Sequence, residues 1–229
     1  NFINKIINFR VIFLHNSINN LISIQNELKS KSKNDLIPEI IAVSKTFSIE
    51  KIKPLIDHGH LHFGENKVQE AVNKWQDLKS ASSNIQLHLI GKLQTNKVKF
   101  AVPLFDYIHS LDSLKLAEKI CNEQKKIGKS LKIFIQVNIG NEPQKNGIEP
   151  ENLKSFYDKC INQFNLNVIG LMCIPPQDNV ETYFKEMQKL NNNLNLKELS
   201  MGMSSDFLKA LDNGSTFVRI GSKIFGERV

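Results

Sequence analysis

The chain has 229 residues, 41% of them hydrophobic and 23% charged, and carries a formal net charge of +7. That length supports one full core, such as a single α/β barrel, but falls short of a comfortable two-domain enzyme. Lysines spread along the whole sequence supply nearly all the positive charge, which argues against a nucleic-acid-binding face. No apolar run approaches a membrane span, and three scattered cysteines exclude a disulfide framework and point to a reducing compartment, the cytoplasm.

Taken in order, residues 1–24 place Ile3, Ile7, Leu14, Ile18, Leu21 and Ile22 on one face of a long helix. Asn, Lys and Arg10 interrupt that stretch too often for a signal peptide. A polar linker with Lys29, Lys31 and Lys33 runs on to about residue 35. From there short apolar strands alternate with amphipathic helices. The predicted strands are Glu39–Ser44, Leu61–Gly64, Gln86–Ile90, Tyr107–His109, Leu131–Asn138, Val168–Met172, Glu198–Ser200 and Phe217–Ile220. Helices are predicted to start near Ser48, Asn66, Thr95, Ser113, Pro150, Val180 and Ser204, with Gly59, Gly128 and Gly214 where helices should stop. Eight such units predict one domain over residues 1–229: an N-terminal helix and linker (1–35), then a (β/α)8 TIM barrel (36–229). An open doubly wound sheet would want a Gly-rich phosphate loop after its first strand, and Ser44-Lys45-Thr46 stands there instead.

In a barrel the chemistry gathers at the carboxyl ends of the strands. The first strand ends on Lys45, an amine that becomes a Schiff-base nucleophile when walled off from water. The last two strands end in Ser200-Met201-Gly202-Met203-Ser204 and Arg219-Ile220-Gly221-Ser222. Gly202 and Gly221 allow close backbone approach to an anion, and Ser200, Ser204 and Ser222 add hydroxyls, as expected of a phosphate site after strands seven and eight. Arg219 lies within an apolar strand, where an unpaired charge is costly; it points to a ring nitrogen, an anion or a buried carboxylate. A phosphate cradle and an amine suggest a phosphorylated aldehyde. That is either a sugar phosphate in an aldolase-like lyase or pyridoxal 5′-phosphate (PLP). His58, His60 and His62 lack a completing carboxylate or cysteine and do not predict a metal site.

Eight motifs then bear a joint resemblance. A-V-S-K-T (Ala42 to Thr46), F-G-E-N (Phe63 to Asn66), H-L-I-G-K-L-Q-T-N-K (His88 to Lys97), H-S-L-D (His109 to Asp112), K-N-G-I (Lys145 to Ile148), G-L-M (Gly170 to Met172), S-M-G-M-S-S-D (Ser200 to Asp206) and V-R-I-G-S-K-I-F-G (Val218 to Gly226) resemble, in order, those of the pyridoxal phosphate homeostasis protein family. The fold resembles the barrel domain of the fold-type III racemases and decarboxylases. The resemblance implies that Lys45 carries PLP as a Schiff base and that Arg219 faces the pyridine nitrogen. It also implies that Ser200, Gly221 and Ser222 bind the phosphate, and that Asn66 and Met172 line the ring pocket. Ser222 stands where many relatives have threonine.

Two-domain racemases bring a second acid/base tyrosine from an additional β domain, which is not expected here after the eighth unit, and Tyr107, Tyr157 and Tyr183 lie in or beside barrel elements. An arginine at the ring nitrogen keeps that nitrogen unprotonated and PLP a poor electron sink. The implied function is therefore non-catalytic: a monomeric, cytoplasmic carrier of PLP in PLP homeostasis, with PLP-dependent apo-enzymes as partners and neither nucleic acid nor membrane. The alternative is a PLP-dependent racemase or Schiff-base lyase. Lys145, beyond strand five, is a second lysine to which PLP could attach.

Overall fold

In the computed structural model, which describes residues 15–33, 36–81, 84–227, the first strand is paired on both sides. Strand β1 (Glu39–Val43) runs parallel to β2 (His62–Glu65) and to β8 (Phe217–Ile220), with Ile41 opposite Arg219 and Val43 opposite Gly64. Strands β3 (Gln86–Leu89), β4 (Tyr107–Leu111), β5 (Lys132–Val137), β6 (Val168–Cys173) and β7 (Glu198–Ser200) complete a closed, all-parallel barrel in sequence order. Closure leaves no sheet edge to protect.

Around it lie α1 (Asn16–Lys31), α2 (Ile49–Asp57), α3 (Val68–Ala81), α4 (Val98–Leu104), α5 (Leu114–Ile127), α6 (Leu153–Asn162), α7 (Val180–Asn193), α8 (Phe207–Asp212) and α9 (Ser222–Phe225). Most start signals hold, while α3 and α8 begin two and three residues after the predicted Asn66 and Ser204. Ser48 and Ser113 are the N-caps of α2 and α5, and Ser113 Oγ accepts the Leu116 N–H. Thr95 and Pro150 begin single 3-10 turns, which lead into α4 and α6. Gly128 ends α5 in the left-handed conformation.

Several expectations shift. Residues 1–14 of the predicted N-terminal helix lie outside the described residues, and the helix continues to Lys31, so Lys29 and Lys31 form its last turn and not a linker. Its face of Ile18, Leu21, Ile24 and Leu28 is buried because α9, which the sequence pattern did not suggest, packs against it; Asn20 Nδ2 donates to the Ile224 carbonyl at 3.0 Å. Strand β4 runs two residues past His109, to Leu111.

Two apolar layers result. Outward-facing strand residues and the helices share one large core, in which Trp75 is fully buried. Inside the barrel Ile41, Tyr107, Phe134, Met172 and Phe217 form a smaller cluster, closing the lower half of the axis and leaving its carboxyl end open. Among the described residues, no helix is long and apolar enough to cross a membrane.

Candidate functional site

The open end is a cavity of about 580 Å3. Lys45 stands on its wall, half-buried, one residue beyond the buried Ser44 at the end of β1. The backbone after it turns sharply: Thr46 has a φ of 68°. A β-branched residue in the left-handed region is a true outlier, and such strain persists only where neighbours impose it. Glu70 of α3 supplies the constraint, its Oε1 accepting the Thr46 N–H at 2.6 Å. Burial works against the Glu70 charge, but the Thr46 N–H and Lys74 outweigh it and hold the carboxyl below its usual range.

Lys74 ties this turn to the strand before it. Its Nζ donates to the Ser44 carbonyl (2.9 Å), to Glu65 Oε1 (3.0 Å) and to Glu70 Oε1 (3.3 Å). Glu65 Oε1 also accepts from Ser44 Oγ (2.7 Å) and Trp75 Nε1 (2.9 Å). One buried carboxylate therefore fixes both the residue before Lys45 and the helix that restrains the residue after it. The FGEN motif signals Glu65, and the i,i+4 spacing of Glu70 and Lys74 on one helix face was a readable but unused signal for the rest.

Beside Lys45 on the same cavity, from the two strands that flank β1, stand Arg219, Gly221 and Ser222 of β8 and the turn after it, and Asn66 at the end of β2. A Cβ on Gly91 would lie 2.3 Å from the Asn66 carbonyl oxygen, so only glycine lets the loop after β3 close over Asn66. The loop after β7 turns at Gly202 (φ 92°), where a Cβ would meet Ala210 at 2.6 Å, and is pinned by Asp206 Oδ1 on the Met203 N–H at 2.6 Å. That folding sets Met203, Ser204 and Ser205 on the wall, with Val43 and Ile90 as its apolar part. Of these, only Ser204 stood out from composition.

Arg219 is 4% exposed and donates from Nη1 to the Ser200 carbonyl and Oγ (both 2.8 Å) and from Nη2 to the Cys173 carbonyl (2.8 Å). Burial pulls its pKa down from the usual arginine value, while these acceptors seat the guanidinium with an edge on the cavity. Lys45, Asn66, Arg219, Gly221 and Ser222 are thus brought together. Ser200 and Met172 are not: both are fully buried beneath the floor. The register explains this, since Met172 pairs with Ser200 and Ser200 with Phe217, two residues short of Arg219.

Other candidates fall elsewhere. Lys145 pairs with Glu142 and reaches the Ile174 carbonyl at 3.5 Å. His60 Nε2 donates to the His62 carbonyl at 2.9 Å, and the His62 ring turns inward to His88. Cys121, Cys160 and Cys173 are buried, and burial pushes the last two thiols up to about 12, away from thiolate chemistry.

A barrel with an amine, a seated guanidinium and serine hydroxyls at one mouth has clear relatives. Residues 18–229 match the family model for the N-terminal domain of alanine racemase, which defines the class of the fold and cavity. The chain is 38% identical over 215 residues to the pyridoxal phosphate homeostasis protein of Aquifex aeolicus, covering 90% of this chain and 93% of that one. It is 39% identical over 217 residues to the protein of that name from Haemophilus influenzae, covering 90% and 91%. The solved structure of PipY from Synechococcus elongatus with PLP bound superposes with a TM-score of 0.81 at 33% identity, over 92% of this chain and 100% of that one. The chain belongs to the pyridoxal phosphate homeostasis protein family.

Proposed function

We propose that the protein binds PLP at this cavity, covalently through Lys45, and serves intracellular PLP homeostasis without turning over a substrate. The observation that carries the reading is the donor set on one cavity: an amine at the end of β1 shares it with a buried guanidinium and the Gly221-Ser222 turn. PLP has an aldehyde, a ring nitrogen and a phosphate, and the wall offers a partner for each. When bound, the cofactor supplies an aldehyde that a primary amine can capture. Ser204, Ser222 and the Gly221 backbone would hold the phosphate, Asn66 the ring edge and Arg219 the ring nitrogen. The similar PipY structure was solved with PLP bound, which supports PLP as the ligand.

Two features support a holding role over catalysis. A guanidinium keeps the ring nitrogen unprotonated, since it gives hydrogen bonds and does not release its proton. Tyr107, Tyr157 and Tyr183 all lie off the cavity wall, so none is placed to serve as an acid/base partner opposite Lys45. Delivery of PLP to apo-enzymes, a monomeric state and a cytoplasmic location belong to the same reading. The test is absorbance after exhaustive dialysis of protein loaded with PLP. A retained visible band, lost in Lys45→Ala, is expected, with no amino-acid turnover above free PLP. A colourless dialysed protein would overturn the binding, and turnover abolished by Lys45→Ala would overturn the holding role.

A further inference from the structure

Beneath the cavity floor the barrel axis carries a line of polar side chains that cofactor contact does not use. His62 Nδ1 lies 2.9 Å from His88 Nε2, and His88 Nδ1 lies 2.9 Å from His109 Nε2. His109 Nδ1 is 2.9 Å from Ser200 Oγ, which accepts from Arg219 Nη1 at 2.8 Å. At the other end His62 Nε2 faces the Glu39 carboxylate at 3.8 Å, and the Glu39 side chain is 62% exposed. The line therefore runs from the cavity to the amino-terminal mouth of the barrel.

Counting donors gives it one direction. Arg219 only donates, so Ser200 Oγ accepts from it and has a single proton to give. The acceptor within reach is His109 Nδ1. A neutral imidazole has one N–H, so His109 carries it on Nε2 and gives it to His88 Nδ1; His88 does the same to His62. His62 then turns its Nε2–H toward Glu39. The opposite direction would aim a bare His62 nitrogen at a carboxylate and deprive the buried Ser200 hydroxyl of that acceptor. Tyr107 stacks on His88 at 4.0 Å between centroids and Phe134 on His109 at 4.3 Å, which holds the rings in plane.

The charges around the line agree with neutral rings. Burial is the main cause lowering all three histidines. Lys132 opposes a proton on His62 and His88, Lys79 opposes one on His88, and Arg219 opposes one on His109. Glu39, and more weakly Asp106, favour a proton on His62 alone. Lys132 Nζ is itself held by the Tyr107 hydroxyl at 2.8 Å. His62, at the exposed end beside a carboxylate, is where a proton enters.

We propose that His62, His88 and His109 are positioning residues for Arg219, forming a one-way hydrogen-bond relay that carries the ionisation state of His62 at the base to the guanidinium at the cavity. A proton added at His62 Nδ1 faces the His88 Nε2–H, donor against donor. The contact recovers only if His88 and then His109 each exchange Nε2–H for Nδ1–H. One proton is gained, at His62, and the other two rings keep one each. His109 then donates to Ser200, whose hydroxyl loses its acceptor beside Arg219. Acid at one mouth of the barrel thus loosens the guanidinium at the other. As regulation of cofactor hold, this rests on the reading that PLP occupies the cavity.

The experiment is nitrogen NMR of the full chain, labelled in histidine and arginine and free of PLP, titrated from neutral to mildly acidic pH. Expected are three neutral Nε2–H rings at neutral pH and Arg219 Nη signals that shift as His62 titrates. His62→Gln should abolish that shift, and Glu39→Gln, an exposed change that leaves the fold alone, should move it to lower pH. In PLP-loaded protein, acidification should weaken binding more in the wild type than in His62→Gln, by roughly threefold to tenfold, the effect of one altered hydrogen bond. An Nδ1–H tautomer at His88 or His109 at neutral pH, or Arg219 signals indifferent to His62 and Glu39, would overturn the relay. Failure to bind PLP at all would sink the proposed function while the PLP-free spectra still decide the relay.

Discussion

The Glu70 carboxylate accepts the Thr46 backbone N–H at 2.6 Å, across a turn in which Thr46 sits at a φ of 68°. The residue in between strand and strained turn is Lys45. The backbone that carries this amine is thereby fixed from both sides, by Glu70 after it and by Ser44, held on Glu65, before it, as the proposed capture of an aldehyde in one orientation requires.

Glu70→Ala removes the acceptor and one partner of Lys74, so the turn relaxes and Lys45 loses its direction. A charge-assisted bond of this kind contributes roughly 1–3 kcal/mol, less here because Thr46 is exposed. PLP retention should fall about threefold to tenfold with secondary structure unchanged. Thr46→Gly should be at least as stable as the wild type, since glycine adopts this φ without the side-chain penalty. Equilibrium dialysis and thermal melts distinguish the two.

Glu65→Ala should be far more damaging. Lys74, with a side chain only 10% exposed, would keep its charge next to no buried carboxylate, and Ser44 and Trp75 would lose their acceptor. Breaking such a buried pair costs about 3–5 kcal/mol. Denaturant titration should show that loss, and a change below about 1 kcal/mol would contradict the clamp.

Arg219→Lys should not rescue Arg219→Ala. A lysine cannot reach the Ser200 and Cys173 carbonyls together with the geometry of a planar fork. Both variants should lose stability by roughly 2–4 kcal/mol and shift the absorbance maximum of bound PLP. Full stability in Arg219→Lys would show that the seat is not built for a guanidinium.

Acid should destabilise the fold early. Burial holds His60 down to about 4 and His88 and His109 well below the usual value, so all three are neutral when folded at neutral pH. An unfolded chain binds protons on these rings from about pH 6.5 downward while the folded one does not. Their contribution is complete above pH 6.5 and declines as pH falls, ending near 4 for His60, at roughly 1.4 kcal/mol per pH unit for each ring. Urea midpoints from pH 7.5 to 5 should fall steadily, and a flat profile would contradict the burial.

Much of this was legible in the residues. Alternation of strand and helix patterns predicted the barrel, the place of Lys45 at the end of the first strand put it at the mouth, and the cost of a charge inside an apolar strand marked Arg219. Depth was not legible. Ser200 and Met172 face inward as expected, but how far each stands below the mouth depends on register around a closed sheet, which no single strand records. Helix α9 was hidden because four residues carry no period. The Glu65–Lys74–Glu70 cluster joins two elements, and its sequence trace, one i,i+4 pair among many lysines, looked like surface charge.

The most direct measurement of the central claim is peptide mass mapping after borohydride reduction of the PLP-loaded protein. One phosphopyridoxyl group on the peptide containing Lys45, absent in Lys45→Ala, is predicted. An unmodified Lys45 peptide, or label confined to Lys145 or to other lysines, would contradict it.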